Sequence, residues 1–86
     1  MSGVILAPRA ISNLDDWRKT DIKILVKIIA LIAEIAQTPF TGTGKPEPLK
    51  HDFKGKWSRR ITQEHRLIYE VTDTSIRILP CKFHYE

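Results

Sequence analysis

Residues 57–85 read WSRRITQEHRLIYEVTDTSIRILPCKFHY. Three runs within this stretch, WSRRITQ, HRLIYEVT and SIRILPCKFHY, are rich in β-branched and aromatic residues and are parted by short polar breaks such as Asp73-Thr74. That pattern predicts three strands joined by tight turns. Connections this short require antiparallel neighbours, hence a meander. Period-two alternation then sorts the side chains. In the last run Leu79, Cys81, Phe83 and Tyr85 share one face, and Ile76, Ile78, Lys82 and His84 the other. In the middle run His65, Leu67, Tyr69 and Val71 oppose Glu64, Arg66, Ile68 and Glu70. Each strand thus has a mostly apolar face and a mixed one that sets charges beside aliphatics. Pairing of the last strand inside a sheet would hold His84 rigidly, which a frayed terminal segment would not.

Upstream, TPFTGTGKPEPL (residues 38–49) contains two glycines and three prolines, and reads as a loop without regular structure. Before it, DIKILVKIIALIAEIAQ (residues 21–37) is apolar around most of a helical circumference. Its polar stripe is narrow: Lys23, Lys27 and Glu34, with Ala30 between them. Thr20 is the expected N-cap, with Asp21 in the first turn. The uninterrupted core IIALIA is too short to span a bilayer, so the predicted helix buries one side on a sheet and offers another to a partner protein or a second copy. Pro8 opens an earlier helix in which Ala10, Ile11, Leu14 and Trp17 recur at helical spacing up to Lys19. GVILA (residues 3–7) reads as a first strand. The element order is therefore β-α-α-β-β-β, an α+β chain.

A length of 86 residues with 42% hydrophobic and 28% charged composition fits one globular domain spanning residues 1–86 and argues against disorder. The single cysteine, Cys81, excludes an internal disulfide. Together with the absence of a secretory pattern in Met1–Ala7, it points to a reducing, cytoplasmic setting. The net charge of +4 is concentrated in residues 45–60, where Lys45, Lys50, Lys54, Lys56, Arg59 and Arg60 outnumber Glu47 and Asp52. Such a patch suits a polyanion; from charge alone, a solvated basic loop is an equal reading.

No phosphate-cradling glycine loop, nucleophile elbow or paired-histidine helix is present. Cys81 and His84 have a chelating spacing but no second pair, and His51 and His65 are scattered, so neither metal nor other cofactor is expected. The remaining candidates are Glu47, Lys50, His51, Arg59, Arg60, His65, Arg66, His84 and Tyr85. Pro46 and Pro48 restrict the backbone around Glu47, which either presents its carboxylate rigidly or merely stiffens a loop. Cleaving RNA without a metal needs a base for the 2′-hydroxyl, cations around the phosphate and an acid for the leaving oxygen. Glu47, Arg66 and His84 fill those three requirements if they converge.

The run GTGKPEPLKH…WSRRITQEHRLIYEVTD…CKFHY resembles the YoeB-type toxins of the RelE superfamily. The likeness covers Thr38 to Tyr85 and extends more weakly to Trp17, Thr20 and Asp21. It implies a RelE-like fold, two helices packed on a mainly antiparallel four-stranded sheet. It also implies ribosome-dependent mRNA cleavage in the A site, leaving a 2′,3′-cyclic phosphate and a 5′-hydroxyl. The family's general base matches Glu47, its transition-state arginine Arg66, its general acid His84 and its substrate-orienting tyrosine Tyr85. Lys50 and Arg60 match phosphate-contacting positions, while His51, Arg59 and His65 keep a structural reading. The implied partners are a cognate YefM-like antitoxin, the ribosome and mRNA, and a second copy of the chain as a homodimer, with no membrane. The second helix is more aliphatic than in relatives, which implies a larger apolar contact with antitoxin or twin. Two other readings use the same features: an RNA- or ribosome-binding module that blocks translation without cutting, and a toxin of this fold directed at another target such as gyrase.

Overall fold

The computed structural model describes residues 3–82. In chain order the elements are β1 (Gly3–Leu6), α1 (Pro8–Thr20), α2 (Ile22–Gln37), β2 (Glu47–Pro48), a 3-10 turn (His51–Phe53), β3 (Lys56–Arg60), β4 (Arg66–Val71) and β5 (Ser75–Ile78). The strands form one sheet in the order β1-β5-β4-β3-β2. β3, β4 and β5 are the expected antiparallel meander. β1 joins β5 in parallel, with Gly3 opposite Ser75 and Leu6 opposite Ile78, so β5 is an interior strand. The sheet has five strands rather than the expected four, because Glu47 and Pro48 pair with Ser58 and Trp57. The segment read as irregular thus supplies a short edge strand; Pro48 is tolerated there because an edge leaves one side of the backbone unpaired.

Pro8 occupies the first turn of α1, where its missing N–H costs nothing. Asp21, not Thr20, caps α2: its Oδ1 accepts from Lys23 N at 3.1 Å. The Thr20 hydroxyl instead donates back to Asp16 O at 2.8 Å. A carboxylate at this position also meets the positive end of the helix dipole. Both helices cover one face of the sheet. Ala10, Trp17, Ile28, Leu31 and Ile35 from the helices meet Ile61, Leu67, Tyr69, Ile76, Ile78 and Cys81 in one core cluster. Full burial of residues such as Ile28 and Ile35 contributes about 1.5–3 kcal/mol each. The outer side of α2 is uncovered, with Ile22 at 56%, Val26 at 62% and Ile29 at 55% exposure. This matches the aliphatic surplus read in the sequence.

The last run departs from its expected alternation. Ile76, Ile78 and Cys81 all enter the helix-facing core, whereas a continuous strand would put Cys81 on the face opposite the two isoleucines. Regular pairing stops at Ile78; beyond it Ile68 accepts from Leu79 N and donates to Pro80 O, both at 2.8 Å. Ile68 therefore faces two residues, and the face changes by one position at Pro80, which has no N–H to continue a ladder. The chain is then gripped by α1: Trp17 Nε1 donates to Cys81 O at 2.9 Å, and Cys81 N donates to Asn13 Oδ1 at 3.0 Å. Lys82 lies over the Trp17 ring, 5.2 Å from its centroid.

Candidate active site

Register decides which side chains share the helix-free face. Residues paired across antiparallel strands point the same way, and Trp57, Leu67 and Tyr69 pack against the helices. The opposite face therefore carries one row of Glu47, Ser58 and Ile68, and a neighbouring row of Arg60 and Arg66. Lys56, Glu70 and Arg77 form a third row on the other side. With strands ~4.8 Å apart and a rise of ~3.4 Å per residue, the Glu47 and Arg66 Cα atoms stand roughly 12 Å apart. That is a span which a glutamate and an arginine side chain can bridge with a phosphodiester between them.

Arg60 and Arg66 are direct cross-strand partners, and among the described residues neither forms an ion pair. Arg66 Nη1 turns toward the β3–β4 turn, donating to Thr62 O at 3.2 Å and to Gln63 O and His65 O at 3.4 Å. Arg60 Nε is shielded from solvent with no hydrogen-bond acceptor among the described residues. Ser58 and Ile68, in the row with Glu47, are 3% and 0% exposed, and Leu49 is 6% exposed.

Glu47 and Lys50 are both exposed. They lie on a segment bracketed by the only two non-glycine residues with positive φ among the described residues, Lys45 at 50° and His51 at 57°. The left-handed region costs a non-glycine residue roughly 1–2 kcal/mol, so surrounding contacts impose this shape. Leu49 N donates to Lys56 O at 2.9 Å, and Lys50 leads into the 3-10 turn, where Phe53 N returns to its carbonyl.

The structure thus brings Glu47, Arg60 and Arg66 to the helix-free face, with Lys50 on the adjoining turn. His84 and Tyr85 lie outside the described residues. Of the three residues given a structural reading, Arg59 is wholly buried beneath the opposite face, and His65 packs edge-on against Trp17 with centroids 5.0 Å apart. His51 is exposed and enters the 3-10 turn. Reading the residues singly missed Ser58, the cross-strand partner of Glu47, and Glu34, the carboxylate that meets Arg59 at 2.5 Å. Carrying the alternation through WSRR would have found the first: Trp57 and Arg59 point inward, so Ser58 and Arg60 point out. Among the described residues no group of three or more His, Cys, Asp or Glu side chains is placed to hold a metal, and no helix is long and apolar enough to cross a membrane.

Two helices packed on one face of a mixed five-stranded sheet make this a small α+β fold. Residues 7–85 match the family model described as the YoeB-like toxin of bacterial type II toxin-antitoxin systems. Toxin YoeB of Escherichia coli strain K12 is 58% identical over 69 residues, covering 80% of this chain and 82% of that protein. A YoeB/ParE toxin from Agrobacterium tumefaciens superposes with a TM-score of 0.92 at 41% identity, covering 96% of this chain and 99% of the other. Staphylococcus aureus YoeB is similar both as a dimer (TM-score 0.89, 39% identity, 98% of each chain) and in complex with YefM (0.86, 37%, 99% of each). The chain belongs to the YoeB-like toxin family of type II toxin-antitoxin systems.

Proposed function

We propose that this toxin is a ribosome-dependent endoribonuclease that cleaves mRNA in the A site without a metal, and that Glu47, Arg66 and His84 carry the reaction. Glu47 takes the proton of a 2′-hydroxyl as that oxygen attacks the adjacent phosphorus. Arg66, Arg60 and Lys50 offset the negative charge that builds on the phosphoryl oxygens. The bond to the 5′-oxygen breaks as His84 protonates it. The products are a 2′,3′-cyclic phosphate and a 5′-hydroxyl. Tyr85 orients the nucleotide.

The observation that carries this reading is the pairing of Arg60 with Arg66 on the same face as Glu47. Two arginines that are direct cross-strand partners repel, and a phosphate bound by both turns that repulsion into attraction. The exposed Glu47 carboxylate contributes nothing to binding RNA, but it supplies the base that cleavage requires.

The proposed partners are the ribosome with its mRNA, a YefM-like antitoxin and a second copy of the chain, by likeness to the Staphylococcus aureus assemblies, and the setting is cytoplasmic. The exposed Ile22, Val26 and Ile29 stripe on α2 gives a protein partner an apolar surface to cover.

The test is to induce the toxin in a bacterium and map the 5′ ends of transcripts with and without an intact translation start. The proposal expects new 5′-hydroxyl ends inside translated frames only, lost in Glu47→Ala. Equal cutting of untranslated transcripts would contradict ribosome dependence. Arrested translation with intact message would establish the non-cleaving module instead.

A further inference from the structure

Beneath the face opposite Glu47 lies the most completely satisfied polar group among the described residues. Arg59 is 0% exposed, and each of its five N–H donors has an acceptor. Nε donates to Tyr69 Oη at 3.3 Å; Nη1 donates to Glu34 Oε1 at 2.5 Å and Thr43 O at 3.2 Å; Nη2 donates to Thr38 O at 2.5 Å and Thr41 O at 2.9 Å. Tyr69 Oη in turn donates to Pro39 O at 2.6 Å. Glu34 accepts from both Thr43 N and the Thr43 hydroxyl, at 2.5 and 3.0 Å. The carbonyls of residues 38, 39, 41 and 43 therefore all converge on two side chains of the sheet, Arg59 and Tyr69.

A segment reading TPFTGTG has no local reason to hold one conformation, and an ion pair with one partner partly open to water is a weak source of stability. A guanidinium fork with all five donors engaged does, however, select a single path for the chain around it. Gly42 completes the closure: at φ +123° it has no side chain, and a Cβ there would run into the Glu34 carboxylate. The fixed loop ends at Gly44, whose carbonyl accepts from Arg60 N at 2.6 Å. Three residues on stands Glu47, on a strand only two residues long at the edge of the sheet. Two paired residues do not by themselves hold a side chain in place.

We propose that Arg59, tied to Glu34, is a positioning residue that sets the backbone on which Glu47 is presented to RNA. This rests on the reading of Glu47 as the general base. Arg59 touches no substrate; it acts through the loop.

The test uses Arg59→Lys and Glu34→Ala in the full chain, with two readouts. Amide exchange at Thr43 and Leu49 is expected to quicken at least tenfold in both variants, while the amide of Ile68 within β4 stays protected. Single-turnover cleavage of ribosome-bound message at saturating toxin is expected to fall at least tenfold with little change in the concentration needed for saturation. Glu34→Gln, which keeps an acceptor oxygen, is expected to recover most of the rate. In a Glu47→Ala background, Arg59→Lys is expected to cause no further loss. Should Arg59→Lys fail to fold, Glu34→Ala stands in for it, since that side chain is 34% exposed and water can replace it. Unchanged exchange at Thr43 and Leu49, or an equal fractional loss in the Glu47→Ala background, overturns this proposal alone. A loosened loop together with a fully active Glu47→Ala overturns the role of Glu47, and this proposal with it.

Discussion

Arg60 of β3 and Arg66 of β4 stand opposite each other on the helix-free face of the sheet. Like charges in that relationship cost the free protein about 0.2–1 kcal/mol. Arg60→Ala is therefore expected to leave stability unchanged or raise it within that range, as read by urea unfolding. The same variant is expected to weaken binding to single-stranded RNA and to lower the slope of log K against log salt by about 0.7 for the lost phosphate contact. A stability loss above 1 kcal/mol with unaltered RNA binding would mark Arg60 as structural.

Tyr69 joins the sheet to the loop through its hydroxyl alone, accepting from Arg59 and donating to Pro39 O. Burial holds its phenol above the ordinary tyrosine range, so the group stays neutral and available as a donor. Tyr69→Phe leaves one Arg59 N–H and the half-buried Pro39 carbonyl without partners, at a cost of about 1–3 kcal/mol. Chemical denaturation measures this directly, and a loss below 0.5 kcal/mol would show that water enters to replace the hydroxyl.

Acid should loosen the same hub. The Thr43 N–H and hydroxyl, followed by Arg59, hold the Glu34 carboxyl below its ordinary value of 4.5. A carboxylate depressed on folding adds stability that is fully present above the unfolded value and lost as pH falls through the folded one. Wild-type stability is therefore expected to decline below about pH 4.5, and Glu34→Gln to show a shallower decline in that window. Parallel curves for the two proteins would mean that Glu34 titrates alike in both states.

Cys81 is 0% exposed and its thiol is pushed up to about 12 by burial. Because the thiolate is the reactive form, native protein at pH 8 is expected to resist iodoacetamide, with full labelling after unfolding in guanidinium. Fast native labelling would show that the α1 grip on residue 81 opens readily.

Most of the fold was legible because its elements carry a period. The β3–β4–β5 meander, the sheet-facing side of α2 and the proline start of α1 each follow from side-chain spacing. What escaped depends on contacts distant in sequence. Glu47 and Pro48 have no strand propensity, and become β2 only because Ser58 and Trp57 offer an edge. The change of face at Pro80 is a loss of one N–H, invisible to an alternation count that treats all residues alike. Thr20 and Asp21 are both good caps, and the choice fell to the one whose side chain reaches Lys23 N. In the site, Glu47, Arg60 and Arg66 were legible by chemistry, and strand register put them on one face. Arg59 lies among the same basic residues in sequence; only its phase, in step with Trp57, separates a buried clamp from an open cation.

Glu47 and the Arg60–Arg66 pair share one sheet face, and the proposed reaction sets a single phosphodiester against all three. The most direct measurement is the single-turnover cleavage rate of a message bound in the ribosomal A site, for wild type, Glu47→Gln and Arg66→Ala, with the chemistry of the new ends determined. The expected result is 5′-hydroxyl and 2′,3′-cyclic phosphate ends, and a fall of about a hundredfold or more in each variant, as when a general base or a transition-state cation is removed. Wild-type rates in both variants, or 5′-phosphate ends, would contradict it.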